Sequence, residues 1–339
     1  MEIQLPKSVK GKNAKAWSDL GYKYSNENKY KEAAECFGNV LRIEPKNVDA
    51  LNNYGWFSGQ LGDYQKTLKY CEEAVKLDPN YHYAWHSVGW ALNKLQRYQE
   101  AIPNFQKAIK IISGRTDYLH DLGFAYQKTG KLKKAIDCYE KSVKIDPKFK
   151  DGWFDMGITY LELKDYHNAI DCLEKAAKIG QKNCKAYSAI GYAYLRLEDY
   201  LKAVKSYLKA VRCDPQDKIS MNYIGVAHSN QNKHKLAIRW YQKALNLDPK
   251  YIDALYNQGV AYGSDGNHQK GIECFNKVIK LDPNNIEAWY NMGLFYGNLE
   301  NPEKGIECVE EALKIDPKNE ESLRVLSLLK VLKENLDSK

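Results

Sequence analysis

The sequence predicts an all-α solenoid of stacked helix pairs, because it contains a regular repeat and the repeat has a helical periodicity. A 34-residue unit recurs without insertion over residues 14–319, so that Gly191, Gly225 and Gly259 occupy the same place in successive units. Apolar residues within each unit recur at the three- and four-residue spacing of a helix rather than alternating as in a strand. Units of this length that bury one another's apolar faces form solenoids. We therefore expect nine repeats in one solenoid domain.

Each repeat is expected to consist of two helices. If the 34 places are numbered from Ala14, places 4, 7, 8 and 11 share the buried face of the first helix, as in Trp153, Met156, Gly157 and Tyr160. Place 8 is glycine in all nine repeats, which predicts a close approach between the paired helices. Seven second helices are followed by proline at place 32. Proline ends a helix because it lacks an N–H group, so we place the helix ends there.

The segments outside the repeats complete the predicted organisation. Residues 1–13 are basic and lack the apolar core of a signal peptide. Residues 320–339 continue the repeat register as a single helix, which we expect to cap the last repeat. Its apolar stripe is expected to be buried in part and to mediate weak self-association through its exposed part. The stripe consists of Val325, Leu328, Leu329, Leu332 and Leu336.

The composition limits the classes of protein that fit the chain. No run approaches the roughly 18 apolar residues of a membrane span, so a soluble, cytoplasmic protein is expected. The net charge of +8 is modest for 339 residues and does not by itself indicate nucleic-acid binding. The eight cysteines include no CxxC pair, and five of them fall at one place of the second helix. We therefore expect buried, reduced thiols rather than a metal or redox site.

The conserved spacing within the chain points to one repeat family. The pattern W-x2-L-G-x2-Y, then A-x3-F/Y-x2-A, then proline resembles the tetratricopeptide repeat, and Trp17, Leu20, Gly21 and Tyr24 begin its first copy. The resemblance covers residues 14–319, about nine-tenths of the chain. It implies antiparallel helix pairs in a right-handed superhelix whose first helices line a concave groove. It also implies a protein- or peptide-binding scaffold rather than an enzyme.

The groove face, defined as places 2, 5, 6, 9, 12 and 13 of the first helices, lies opposite the buried stripe. It carries nine acids against five bases, although the whole chain is basic. It also carries a row of aromatic residues, which are enriched at binding hot spots. We therefore predict a protein or peptide ligand that is neutral to basic. The candidate binding residues are Asn53, Trp56, Trp90, Asp117, Asp121, Phe124, Asp151, Asp155, Tyr192, Tyr223, Tyr256, Asn257, Tyr290 and Asn291.

Two devices of the family were compared with the groove face. The dicarboxylate clamp of co-chaperones uses lysine at place 5 and asparagine at place 9, and this chain has neither. The asparagine ladder of O-linked N-acetylglucosamine transferases uses place 6, which is matched by Asn53, Asn257 and Asn291. An amide can donate to and accept from a peptide backbone of any sequence. The broken ladder therefore indicates such contacts only near the two ends of the groove.

Two alternatives remain open from the sequence. His82, His86 and His120, with Asp117 and Asp121 beside them, have ligand types that could hold a metal. Lysines of the second helices could bind nucleic acid weakly on the convex face. An enzyme is not expected, because no triad, phosphate-binding loop, dinucleotide-binding turn or calcium loop occurs in the sequence. No cofactor is expected either.

Overall fold

The computed structural model describes residues 13–180 and 183–338. Its contacts divide the chain into two compact units, Met1–Lys175 and Ala176–Lys339, and each unit is treated by itself. The described residues are helical and contain no strand. The predicted all-α, paired-helix fold is therefore confirmed, whereas the count of nine repeats and the single domain stay predictions. The basic segment 1–13 lies outside the described residues, except for Asn13.

The first unit consists of helix pairs in which consecutive helices pack on each other, both within a pair and from one pair to the next. Asn13 begins the series by accepting a hydrogen bond from the Ala16 amide at 3.0 Å, which caps the first helix. The helices are α1 Ala14–Asn26, α2 Tyr30–Ile43, α3 Val48–Gln60, α4 Tyr64–Leu77, α5 His82–Lys94, α6 Tyr98–Ile111, α7 Thr116–Lys128, α8 Leu132–Ile145, α9 Lys150–Glu162 and α10 Tyr166–Ile179, within which the unit boundary falls.

The second unit repeats this arrangement and ends in an unpaired helix. Each helix from the second to the last of this unit packs on the one that precedes it. The helices are α11 Cys184–Arg196, α12 Tyr200–Cys213, α13 Lys218–Ser229, α14 His234–Leu247, α15 Ile252–Ser264, α16 His268–Leu281, α17 Ile286–Asn298, α18 Pro302–Ile315 and α19 Glu320–Asp337.

Local sequence sets both the ends of the helices and the turns between them. Helix α4 ends at Leu77, two residues before Pro79, and the other proline-terminated helices end at the same distance. The turn inside each repeat has a positive φ at place 15, from Glu300 at 55° to Gly62 at 95°. Glycine and asparagine tolerate that conformation best. Four of the nine residues at place 15 are neither glycine nor asparagine. The packing of the helices on both sides of the turn therefore holds these four residues in the positive-φ conformation.

The predicted close approach at place 8 is confirmed in both units. A Cβ atom on Gly157 would lie 2.6 Å from Leu173 Cγ, and one on Gly293 would lie 2.8 Å from the carbonyl oxygen of Gly305. The predicted buried stripe was incomplete, however. Places 3 and 10 are buried as well in most repeats, as in Ala84 and Ala91, which are both fully buried. The sequence signal was the recurrence of alanine at these two places.

The stripe on α19 divides between a buried and an exposed part. Val325 and Leu329 are buried against the last helix pair, and Leu329 fills the space beside Gly297 and Gly305. Leu328, in contrast, is 54% exposed. Ser322 and Leu329 occupy places 3 and 10, so α19 buries part of the face that the first helices of the repeats bury, whereas Ser327 at place 8 is exposed. The expected partial exposure is present in the structure.

The cysteines follow the prediction only in part. Six cysteines are buried and form no disulfide in the described part of the chain, and burial raises the pKa of the Cys274 thiol to about 11, which keeps it protonated and unreactive. Cys184 and Cys213 instead form a disulfide that joins the start of α11 to the end of α12. The expectation that all eight thiols are reduced is wrong for this pair. They stand at different places of one repeat, so the repeat pattern gave no sign of their pairing.

Candidate functional site

All fourteen candidate binding residues lie on first helices and are at least partly exposed. In the first unit, α3 carries Asn53 and Trp56, α5 carries Trp90, α7 carries Asp117, Asp121 and Phe124, and α9 carries Asp151 and Asp155. In the second unit, α11 carries Tyr192, α13 carries Tyr223, α15 carries Tyr256 and Asn257, and α17 carries Tyr290 and Asn291. The groove face is less uniformly open than predicted, because His86, Ser87 and Asn93 on α5 are buried.

A regular set of hydrogen bonds joins the first helices of successive repeats. A polar residue at place 5 bonds the residue 35 positions later, at place 6 of the next repeat. In the first unit His86 Nε2 lies 2.8 Å from Asp121 Oδ2, and His120 Nε2 lies 2.7 Å from Asp155 Oδ2. Sequence reasoning missed these partners. The 35-residue spacing between polar residues at places 5 and 6 was the signal that could have found them.

His120 reduces the negative charge of the groove face in the first unit. Burial disfavours a charged His120, but hydrogen bonds to Asp121 and Asp155 outweigh it and raise the pKa of His120 to about 9. Burial opposes ionisation of Asp121 as well, and hydrogen bonds from His120 and His86 lower its pKa below the usual range. His120 is therefore positively charged at neutral pH. The count of acids and bases from the sequence treated the histidines as neutral. The groove face of the first unit is therefore less acidic than that count predicted.

The same contacts remove the support for the metal alternative. His82 Nδ1 lies 2.9 Å from the Tyr118 hydroxyl, whereas His86 and His120 each contact an aspartate of the following repeat. The three rings are thus directed at different partners. Within residues 13–180 and 183–338, no group of three or more histidine, cysteine, aspartate or glutamate residues could hold a metal ion.

The second unit contains a concave depression on its groove face. It has a volume of about 230 Å³ and lies between α13, α15 and α17. Asn257 Nδ2 donates to Asn222 Oδ1 at 3.2 Å, and Asn291 Nδ2 donates to the Tyr256 hydroxyl at 3.2 Å. These bonds fix the orientation of the amides and the ring. The depression is lined by Asn222, Tyr223, Val226, Ile252, Asp253, Tyr256, Asn257, Asn285 and Glu287.

The lining of this depression combines three kinds of chemistry. Asp253 and Glu287 are exposed acids at place 2 of successive repeats. Burial, together with Tyr290 and Glu287 nearby, raises the pKa of the Tyr256 hydroxyl to about 12, so this group stays protonated at neutral pH. An amide has two donor and two acceptor positions, so one hydrogen bond leaves Asn257 further capacity. The depression thus offers carboxylates, amides and tyrosine rings within one small space.

Family models match nearly the whole repeat array. Models described as tetratricopeptide repeat, or TPR repeat, match residues 14–47, 48–81, 82–148, 138–171, 184–217, 225–266, 252–285 and 286–319. The chain belongs to the tetratricopeptide repeat proteins. Six of these eight matches begin at a residue where the 34-residue period places the start of a repeat.

Solved structures of tetratricopeptide repeat proteins share the fold. The C-terminal part of a TPR repeat-containing protein from Cytophaga hutchinsonii is 19% identical with a TM-score of 0.56, and the match covers 80% of this chain and 98% of that one. The Cut9–Hcn1 hetero-tetramer of the APC/C is 16% identical with a TM-score of 0.52, covering 93% and 76%. Among curated proteins, no sequence matches the chain significantly. At these identities the likeness concerns the fold alone.

In the part of the chain that the structure describes, no helix is both long enough and apolar enough to cross a bilayer.

Proposed function

We propose that this tetratricopeptide repeat protein is a non-catalytic scaffold that binds peptide segments of other proteins on its groove face. Family membership supports the scaffold role, since such repeats mostly bind proteins and peptides. The fourteen candidate residues are proposed as the binding surface, and all of them have solvent-accessible area. The observation that carries the proposal is the depression of the second unit, where Tyr223, Tyr256 and Asn257 converge.

The chemistry of this depression favours a neutral to basic ligand. Its amides can bond an extended backbone regardless of the ligand's sequence. Asp253 and Glu287 add two negative charges at its edge, and neither forms an ion pair among the described residues. Tyrosine rings supply contact area at a low entropy cost. A basic side chain would therefore gain a carboxylate partner while the adjoining backbone is held by the amides.

The test uses a labelled 12-residue peptide of lysine, leucine and glycine as a basic probe. We expect the full chain to bind it and the double variant Asp253→Lys/Glu287→Lys to bind it at least ten times more weakly, as measured by fluorescence anisotropy. The matched control Glu273→Lys/Glu307→Lys makes the same charge change at exposed positions of α16 and α18. Equal affinity of the two variants would disprove the placement of the binding site.

We also propose that α19 mediates weak self-association. Leu328 is 54% and Val331 is 57% exposed on the side that does not pack against the unit. Exposed aliphatic patches on one helix pair most simply by a twofold contact. At several hundred micromolar the wild-type chain is expected to form dimers in analytical ultracentrifugation. Leu328→Glu/Val331→Glu should be monomeric, and a monomeric wild type would leave α19 only its capping role.

Nucleic-acid binding through second-helix lysines is the weaker alternative. Several of these lysines already face a carboxylate, such as Lys141 with Asp137 at 2.7 Å and Lys202 with Asp199 at 2.8 Å. Phosphate binding needs clustered cations that are not neutralised locally. The pairs therefore favour the peptide-binding proposal.

A further inference from the structure

The aromatic row of the first unit has a different electrostatic setting from the depression of the second unit. Trp56, Trp90 and Phe124 stand at place 9 of three successive repeats and are partly exposed. The ring centroids of Trp56 and Trp90 are 4.7 Å apart. Tyr64 meets Trp90 edge-on at 5.7 Å. We call the three place-9 residues, with Lys94 and Lys128, the basic ledge.

The rings of the basic ledge are held in place from behind. A Cβ atom on Gly59 would lie 2.7 Å from Trp90 Cζ3, so the indole rests directly on the backbone of α3. Phe124 is met edge-on by Tyr98 at 6.0 Å, which fixes it against the first turn of α6. Rings fixed in this way lose little conformational freedom when a ligand binds. Such rigid aromatic side chains are effective anchors.

Two lysines place positive charge beside these rings. Lys94 Nζ lies 5.5 Å from the Trp90 ring centroid, and Lys128 Nζ lies 5.3 Å from that of Phe124. Each lysine is exposed and follows its ring by four residues, on the same helix face. Neither is in an ion pair with a carboxylate in the described part of the chain. Their charges are therefore available to a ligand.

The acids of the first unit offset these two charges only at one edge of the basic ledge. Asp121 and Asp155 are bonded to histidines, as described above. Asp117 and Asp151 stand at place 2, eleven residues before place 13, which is about 16 Å along a helix axis. Glu162 shares place 13 with the two lysines but lies on α9, one repeat beyond Lys128, and it accepts a hydrogen bond from Gln127 at 2.6 Å. The basic ledge therefore carries two positive charges, with one carboxylate at its α9 edge.

We propose that the basic ledge binds an acidic segment that also carries aliphatic or aromatic side chains. The carboxylates would pair with Lys94 and Lys128, while the apolar side chains would contact the edges of the three rings. Successive packed helices are on the order of 10 Å apart, which a peptide in the polyproline II conformation spans in about three residues, with positions i and i+3 on the same side. A ligand with an acid at every third position therefore matches the spacing of the two lysines. This ligand has the opposite charge from that proposed for the second unit.

The test uses the full chain and a labelled 12-residue peptide. The peptide has glutamate at every third position and leucine or phenylalanine at the positions between. We expect wild type to bind this probe and Lys94→Glu/Lys128→Glu to bind it at least ten times more weakly in fluorescence anisotropy. Phe124→Ala should also weaken binding, by about threefold or more on the scale of interface truncations. The affinity should fall as salt rises, because the pairs are solvent-exposed.

A matched control distinguishes binding at the basic ledge from non-specific attraction between the acidic probe and the other lysines of the chain. Lys107→Glu/Lys133→Glu changes the charge equally at exposed positions of α6 and α8 and should alter the affinity less than twofold. Equal loss in both double variants, or no binding of the acidic probe by wild type at several hundred micromolar, would overturn the proposal. Asp253→Lys/Glu287→Lys should bind the acidic probe at least as well as wild type. A failure here therefore leaves the proposed site of the second unit untouched.

Discussion

Gly293→Leu is expected to destabilise the second unit by about 3 kcal/mol, the upper end of the range for overpacked cores. The new Cβ atom alone would lie 2.6 Å from Val309 Cγ2 and 2.8 Å from the carbonyl oxygen of Gly305. A side chain can rotate away from such a contact, but the backbone of α18 cannot. The two helices must then separate, which also disturbs Leu329 of α19 beside Gly305. Repeat units are stabilised by their neighbours, so the loss should spread to α19.

The matched control is Gly38→Leu in α2. A Cβ atom there would lie 3.3 Å from Tyr54 Cε2, and the position opens on a surface crevice of about 360 Å³ that can take the leucine. The substitution also removes a helix-interior glycine, which favours the helix by about 1 kcal/mol. Urea unfolding and amide hydrogen exchange of α17, α18 and α19 should separate the two variants. Equal unfolding midpoints would contradict the close contact.

Periodicity made the fold predictable, since nine copies of one pattern average out local ambiguity. The place-8 glycines, the paired helices and the proline stops all follow from residue types that recur at fixed places. The deep burial of Ala84 and Ala91 was missed because alanine adds little to an apolar stripe, although its small size is the reason it stands there. The error therefore concerned the centre of the stripe and not its existence.

The candidate site was less predictable because its chemistry depends on contacts between repeats. Counting the groove acids treated Asp121 and Asp155 as free charges, whereas each meets a histidine of the preceding repeat. The position of Lys94 beside Trp90 was visible in the sequence, but a sum of charges over the face concealed it. Acids and bases that lie at different ends of one helix are distinguished only when the position of each charge along the helix is considered.

The stability of the first unit is expected to decline between pH 6.5 and about pH 9, and His120 is expected to cause the decline. The folded pKa of His120 is raised from 6.5 to about 9, so its contribution is complete below pH 6.5 and is lost as pH rises through 9. The difference corresponds to about 3 kcal/mol. Asp155 on α9, Asp121 beside it and the Tyr139 ring of α8 contact His120, and His86 on α5 contacts Asp121.

His120→Gln should remove most of this decline and lower the unfolding midpoint at pH 6.5. Glutamine can donate to one carboxylate but carries no charge, so Asp121 and Asp155 are left as a partly buried like-charge pair. His167→Gln, at an exposed position of α10, is the matched control and should keep the wild-type profile. Hydrogen exchange of α7 and α9 at pH 6.5 and pH 9 localises the effect. A decline that persists in His120→Gln would show that another group titrates.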